Sequence, residues 1–366
     1  MNGSSPEPSA TGADPGGPGA AAQLAELLRE QLPGARDVGV EQVEQVFGGN
    51  ARQALAGTAT WTEPSARRRR EPVIMLSRAP GSQVQADPER EYAVLRALSE
   101  TSVRAPRVFA ADRDGAVTGT SSIVLQRMPG RADPVAFLRS RDRARARELT
   151  ADLARAAAEL HAVDVHRDVP GLTERLGGVV SEDGNIDPQS TVAAQIEYWQ
   201  SVFLGCRLEP LPVLAGLFDW LLDNVPAPAR VALVHGDLRP GNFLYEDARL
   251  VSLLDWEMVH VGDPAEDLAW IFRPLWSPQR FLDLGSFVRR YEEAGGAPVD
   301  RAALLYHRVF AEAKFAAISI RAARAFADGT TTNLRLADRA ATVTTSLALA
   351  LDLAAEWESL PKGALC

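Results

Sequence analysis

Cysteine is scarce. Only Cys206 and Cys366 occur in 366 residues, so no disulfide framework can hold the fold, and a reducing, cytoplasmic setting is expected. Long apolar runs are absent: none approaches the ~18 residues of a membrane-crossing helix, so no membrane partner is expected. Positive charge is in deficit. With 39 Lys and Arg against 48 Asp and Glu, the net charge of −9 argues against a general nucleic-acid binder. Residues 1–20 are mostly Gly, Pro, Ala and Ser and lack the apolar core of a signal peptide, so they read as a disordered tail. What is present is ordinary for a globular chain, 46% apolar and 24% charged. The length allows one large core or two smaller lobes.

The chemistry concentrates in Val234-His235-Gly236-Asp237-Leu238-Arg239-Pro240-Gly241-Asn242, followed by Leu254-Asp255-Trp256-Glu257. Between Asn242 and Asp255, two short apolar runs flank Glu246-Asp247-Ala248-Arg249, which reads as a β-hairpin turning at Asp247/Ala248. Such a hairpin sets Asn242 and Asp255 side by side at its open end. An amide oxygen and a carboxylate can then share one hard cation, with phosphate oxygens and water completing the shell. Asp237 lies one Pro-Gly turn upstream, placed to accept the proton of an attacking hydroxyl. Protein kinases combine the same three groups for phosphoryl transfer. His-Gly-Asp alone is commonly structural, and Asp255 or Asn242 alone could be a strand-end or turn residue; the joint pattern carries the reading. His235 is expected to brace the loop. Arg239 either neutralises charge near a γ-phosphate or faces solvent.

These segments resemble the aminoglycoside phosphotransferase family of small-molecule kinases. The resemblance continues in Gly262-Asp263-Pro264-Ala265-Glu266-Asp267-Leu268-Ala269-Trp270, Arg90-Glu91-Tyr92-Ala93-Val94-Leu95-Arg96, Val124-Leu125-Gln126-Arg127-Met128-Pro129-Gly130 and Glu159-Leu160-His161, and spans about residues 43–357. It implies an α+β, protein-kinase-like two-lobed fold: a small antiparallel-sheet lobe over residues 21–127 and a larger, mainly helical lobe over 128–366. It also implies ATP (GTP as the alternative) and Mg²⁺ as cofactors. On this reading Gly48, Gly49 and Asn50 approach phosphates through backbone N–H groups, although a Gly pair in a hairpin is commonly only a turn. Arg78 stands at the end of the third strand, where the family usually has a lysine, and is the candidate for the α and β phosphates; a shift of one residue would put Ser77 there instead. The backbone at Gln126 and Met128 would meet the adenine edge at a hinge.

The remaining pattern is consistent with that frame. A helix is expected over 21–32, three strands between Val43 and Arg78, and the Arg67–Arg70 run in the second connection as a solvated tip. Glu91, Val94, Leu95 and Leu98 share one face of a helix capped by Asp87. A carboxylate on an inward stripe needs a cation, and Arg78 is the expected partner. Helices are further expected over 141–162, 189–205, 211–224, 278–294, 300–327 and 334–357. Tyr198, Trp199, Trp220, Trp276 and Tyr306 are expected in the core, with an acceptor-pocket lining as the alternative for one or two of them, and His161 as a satisfied buried histidine. Asp267 is expected to cap its helix or the catalytic loop; Glu257 either orients metal-bound water or is a surface acid. Asp267 lies only twelve positions after Asp255, too close for a phosphorylatable activation segment, which favours a small-molecule hydroxyl acceptor over a protein. Two alternatives stay open: a nucleotide-binding regulator without turnover, suggested by the missing strand lysine, and a metal-dependent hydrolase built on His235, Asp237, Asp255 and Glu257. The oligomeric state is not legible.

Overall fold

The computed structural model describes residues 18–46, 52–78, 88–228 and 230–361, with the backbone alone for Pro18, Arg78 and Pro88. The chain forms two compact units, residues 1–79 with 108–127 and residues 80–107 with 128–366.

The first unit is a five-stranded antiparallel sheet with one helix. Helix α1 (Pro18–Gln31) starts at Pro18 rather than at residue 21, and is followed by β1 (Arg36–Val46), β2 (Arg52–Thr62), β3 (Arg68–Arg78), β4 (Val108–Asp112) and β5 (Ser122–Gln126), in spatial order β1-β2-β3-β5-β4. Alternation sets the faces. Val73 and Met75 of β3 and Ala59 and Trp61 of β2 are buried against Leu24, Leu27 and Leu28, which recur at helical spacing on α1. Each fully buried leucine contributes roughly 1.5–3 kcal/mol. Gln31 fixes the end of α1 by exchanging two hydrogen bonds with the backbone of Ala111. The strands are longer than expected, and the second connection lies at Glu63–Arg67. Arg68, Arg69 and Arg70 instead pair in register with Thr62, Trp61 and Thr60. Neighbouring acids draw them into the strand: Arg69 reaches Glu71 at 2.9 Å.

The second unit holds α2 (Pro88–Leu98), α3 (Pro134–Leu138), α4 (Arg143–His161), α5 (Val165–Asp168), α6 (Pro188–Cys206), α7 (Pro212–Asp223), β6 (Ala232–Val234), β7 (Phe243–Glu246), β8 (Arg249–Leu253), β9 (His260–Gly262), α8 (Ala265–Ile271), α9 (Leu284–Glu293), α10 (Arg301–Ala327), α11 (Leu334–Asp338) and α12 (Val343–Glu358). Part of the acidic excess caps helices: Asp133, Asp142, Asp164, Asp187, Asp283 and Asp300 each accept a backbone N–H at a helix start. Helix α10, 27 residues or about 40 Å long, is apolar on nearly every face because α6, α7, α8 and α12 surround it.

Three expectations need correction here. The helix expected over 334–357 is broken by a 3₁₀ turn at Arg339–Thr342, where the Thr342 hydroxyl bonds the Arg339 carbonyl and so competes with the regular helical ladder. Helix α9 begins at Leu284, since Asp283 caps it and the preceding residues turn back on Pro278. Tyr198 is 41% exposed, because Ile196, Trp199 and Phe203 take the inward face of α6.

Candidate active site

Strand β6, paired with β9, delivers the loop 235–242. The loop begins with a backbone only glycine accepts: Gly236 has φ +80°, and a Cβ there would collide with the Met258 carbonyl oxygen. Buried Asp267 of α8 anchors it, its two oxygens accepting the N–H groups of His235 (2.8 Å) and Gly236 (3.0 Å). His161 at the end of α4 bridges Asp267 (3.1 Å) to the Tyr291 hydroxyl (3.0 Å). Burial works against the Asp267 charge, but the His161 hydrogen bond, with the His235 contacts, holds its carboxyl below the usual range. From the other side Lys314, fully buried on α10, donates to the Gly236 carbonyl (2.6 Å) and to Glu266 (2.9 Å). Glu266 also meets His260 at 3.0 Å, and its carboxyl is held far below the usual range: Lys314 and His260 overcome the burial penalty. His235 braces the loop as expected, its Nε2 lying 2.9 Å from the Leu254 carbonyl.

Asp237 follows this anchored turn. Its Oδ1 accepts from Arg239 Nε (2.9 Å) and Trp270 Nε1 (2.7 Å), and its Oδ2 from Asn242 Nδ2 (2.6 Å). A carboxylate has about four lone-pair positions, so three donors fix its orientation and leave room for one more. Asn242 Nδ2 also donates to the Asp237 carbonyl (2.9 Å), so its amide N–H groups are spent on Asp237. The expected hairpin is present. Strands β7 and β8 pair Phe243 with Leu253 around a turn at Asp247, and Leu254 N–H bonds the Asn242 carbonyl at 2.8 Å. Asp255 therefore leaves the hairpin beside Asn242. Its φ of +66° is a left-handed conformation that costs about 1–3 kcal/mol in a non-glycine residue, strain that collects at functional sites. Burial opposes the Arg239 charge, yet Asp237, and behind it Asp255 and Glu257, hold that guanidinium above its ordinary range. The acids thus gather around one arginine. Two oxygen donors, Asn242 Oδ1 and the Asp255 carboxylate, fit a hard cation such as Mg²⁺.

The other sequence candidates are placed less fully. Gly48, Gly49 and Asn50 lie outside the described residues. Arg78 ends β3 opposite Arg52 in the backbone register, so its pairing with Glu91 lies outside the description too. Glu91 is 3% exposed on the buried face of α2 with Val94, Leu95 and Leu98, and it is engaged. Gln126 closes β5 opposite Val73, and Met128 follows where the chain passes from one unit to the other. Glu257 is buried rather than a surface acid, and its carbonyl accepts from Arg90 at 2.8 Å.

Two supports of the loop escaped the sequence reading, Trp270 and Lys314. The signal for Lys314 was its position inside Ala311-Glu312-Ala313-Lys314-Phe315-Ala316-Ala317, where a charge in an apolar run must find a buried partner. Trp270 stands three residues after Asp267, on the same side of a short helix.

A family model described as the phosphotransferase enzyme family matches residues 62–307. The chain belongs to that family. Among solved structures, this phosphotransferase is similar to a putative aminoglycoside phosphotransferase from Ralstonia eutropha, with TM-score 0.67 and 22% identity over 92% of this chain and 98% of that one. It is also similar to aminoglycoside phosphotransferase APH(4)-Ia in ternary complex with AMP-PNP and hygromycin B, with TM-score 0.52 and 16% identity over 91% and 99% of the two chains. At these identities the likeness concerns the fold, which is the α+β, kinase-like fold expected. A curated relative, the probable acyl-CoA dehydrogenase IBR3 of Arabidopsis thaliana, is 30% identical over 256 residues, 62% of this chain and 30% of the relative. The mouse acyl-CoA dehydrogenase family member 10 is 25% identical over 201 residues, 54% of this chain and 18% of that protein. The phosphotransferase chain thus spans less than a third of either relative.

Proposed function

We propose that this member of the phosphotransferase family moves the γ-phosphoryl group of ATP, with GTP as the alternative, to a hydroxyl of a small molecule. The acceptor hydroxyl donates its hydrogen bond to the fourth position on Asp237. As its oxygen bonds to the γ-phosphorus, the proton passes to the Asp237 carboxylate, the bond from γ-phosphorus to the β,γ-bridging oxygen breaks, and the nucleoside diphosphate leaves. Asn242 and Asp255 would hold magnesium, which supplies charge neutralisation on the β and γ phosphates when bound. Arg239 orients Asp237 and adds a fork of positive charge near the transferred group. Gly48, Gly49 and Asn50, the Arg78–Glu91 pair and the backbone at Gln126 and Met128 are the proposed nucleotide contacts. Residues 21–127 form the proposed nucleotide-binding lobe, and residues 128–366 the catalytic and acceptor lobe.

The observation that carries this reading is the Asp237 carboxylate held by Asn242, Arg239 and Trp270 on a loop whose hairpin returns Asp255 beside Asn242. In the hydrolase alternative the imidazole is His235, and both its ring nitrogens are already engaged, one lying 2.9 Å from the Leu254 carbonyl and the other accepting the Asp237 N–H at 3.3 Å. The dehydrogenase names of the curated relatives belong to proteins mostly outside the matched region, and that activity is not part of the proposal. A cytoplasmic setting is part of it: the cysteine content suits one, and no described helix is long and apolar enough to cross a membrane. The test is a metabolite screen with Mg-ATP, read as a mass gain of one phosphate on the acceptor. Asp237→Asn should abolish that gain while leaving Mg-ATP binding within a few fold. Nucleotide binding without transfer to any acceptor would favour the regulator reading; ester cleavage without nucleotide would favour the hydrolase.

A further inference from the structure

Next to Asp237 the structure stacks three arginines on two aromatic rings. The Arg239 guanidinium lies 5.3 Å from the Trp276 ring centre; Arg273 lies 5.1 Å from the same ring and 3.4 Å from Phe315; Arg339, in the 3₁₀ turn before α12, lies 5.9 Å from Phe315. Charged groups packed this closely need counter-charges. Arg239 has Asp237 at 2.9 Å. Arg273, only 7% exposed, has Glu312 and the Ser346 hydroxyl, each at 2.8 Å, while among the described residues its Nε and Nη1 have no hydrogen-bond acceptor. Arg339 is half-buried, and among the described residues its guanidinium has neither an ion pair nor a hydrogen bond. Three guanidinium groups thus share two paired carboxylates. Asp255 and Glu257 also act on Arg239, but Asp255 is committed to the cation in the phosphotransfer reading.

The electrostatics agree with a shortage of negative charge. Burial and then the nearby Arg239 hold the Arg339 guanidinium below its ordinary range, and Asp237 offsets them only in part. Burial also pushes the Glu312 carboxyl up, against the pull of Arg273, which weakens it as a counter-charge.

Resting on the phosphotransfer reading, we infer that the acceptor is itself an anion, a hydroxyl compound whose carboxylate or phosphate docks on Arg339 while its hydroxyl reaches Asp237. Such a ligand brings the missing counter-charge to the end of the arginine stack. A cationic amino sugar would bring a like charge to Arg339, so this site differs in acceptor class from one built for aminoglycosides.

The experiment compares matched acceptors with Mg-ATP: hydroxycarboxylates, phosphorylated alcohols, the uncharged amides of the same hydroxycarboxylates, and amino sugars. The acids should be phosphorylated in preference to their amides and to the amino sugars; whether carboxylates or phosphates lead identifies the anion. Arg339→Gln should raise KM for the acids by ~10-fold or more, the worth of one charge-assisted hydrogen bond, and bring the acid-to-amide ratio toward one. Arg339→Lys should restore most of that preference. Preference for amino sugars, an equal KM change for acids and amides, or a change confined to the KM for ATP would overturn the assignment. Phosphorylation of amides or amino sugars but of no acid would sink the acceptor class while phosphotransfer stands; no nucleotide binding, or binding with no transfer to any acceptor, would remove the reading beneath it.

Discussion

Asp237 takes hydrogen bonds from Arg239, Asn242 and Trp270, and the three donors separate experimentally. Trp270→Phe keeps the ring and removes only the indole N–H from Oδ1. A hydrogen bond to a charged group is worth about 1.5–3 kcal/mol, so kcat should fall ~10- to 100-fold with KM for ATP little changed. Steady-state kinetics on the acceptor found by the screen checks this; an unchanged kcat would show that the bond does not orient the carboxylate. The placement of Asp237, Asn242 and Asp255 was legible in the sequence because a loop and a hairpin relate them locally. Trp270 and Lys314 were not, because they reach the same loop from 33 and 78 residues away. Spacing reveals local geometry, and only packing reveals the rest.

Elements carry the loop, and their contribution is testable apart from chemistry. Lys314 on α10 ties the Gly236 carbonyl to Glu266 of α8, both buried. Lys314→Met would leave Glu266 without its main counter-charge and should cost about 3–5 kcal/mol in denaturant unfolding. The double variant with Glu266→Gln should cost less than the sum of the two, since one pair is removed in both. At Gly236, alanine meets both a left-handed backbone and the Met258 carbonyl, so the loop would have to move away from the turn at Trp256–Met258. Gly236→Ala should therefore lower stability and activity together. The element types were largely readable from apolar periodicity: β3 and α2 bury the faces their sequences present. Boundaries were harder. Arginines drawn into β3 by nearby acids, and a threonine bond that breaks the final helix at Arg339, are local side-chain effects that periodicity does not register.

For the whole molecule, the fold and the loop and hairpin that carry the proposed catalytic groups were readable because a motif fixes both, whereas the proposed acceptor surface depends on α8, α10 and the turn before α12 meeting in space. The buried carboxylates of Glu266 and Asp267 give a pH prediction with a definite sign. Both are held below their unfolded values despite burial, by Lys314 with His260 and by His161 respectively. Their stabilisation is complete above the ordinary carboxylate range and is lost as pH falls through the lower folded values. The melting temperature should drop steeply in acid, and Asp267→Asn should lower it at neutral pH while flattening that acid limb. The central claim, that Asn242 and Asp255 present magnesium and nucleotide to Asp237, is tested most directly by calorimetric titration of ATP with and without magnesium. Wild-type protein should bind ATP tightly only with magnesium, Asp237→Asn should retain that dependence, and Asp255→Asn should lose it. Equal binding with a chelator present, or a magnesium dependence that survives in Asp255→Asn, would contradict the account.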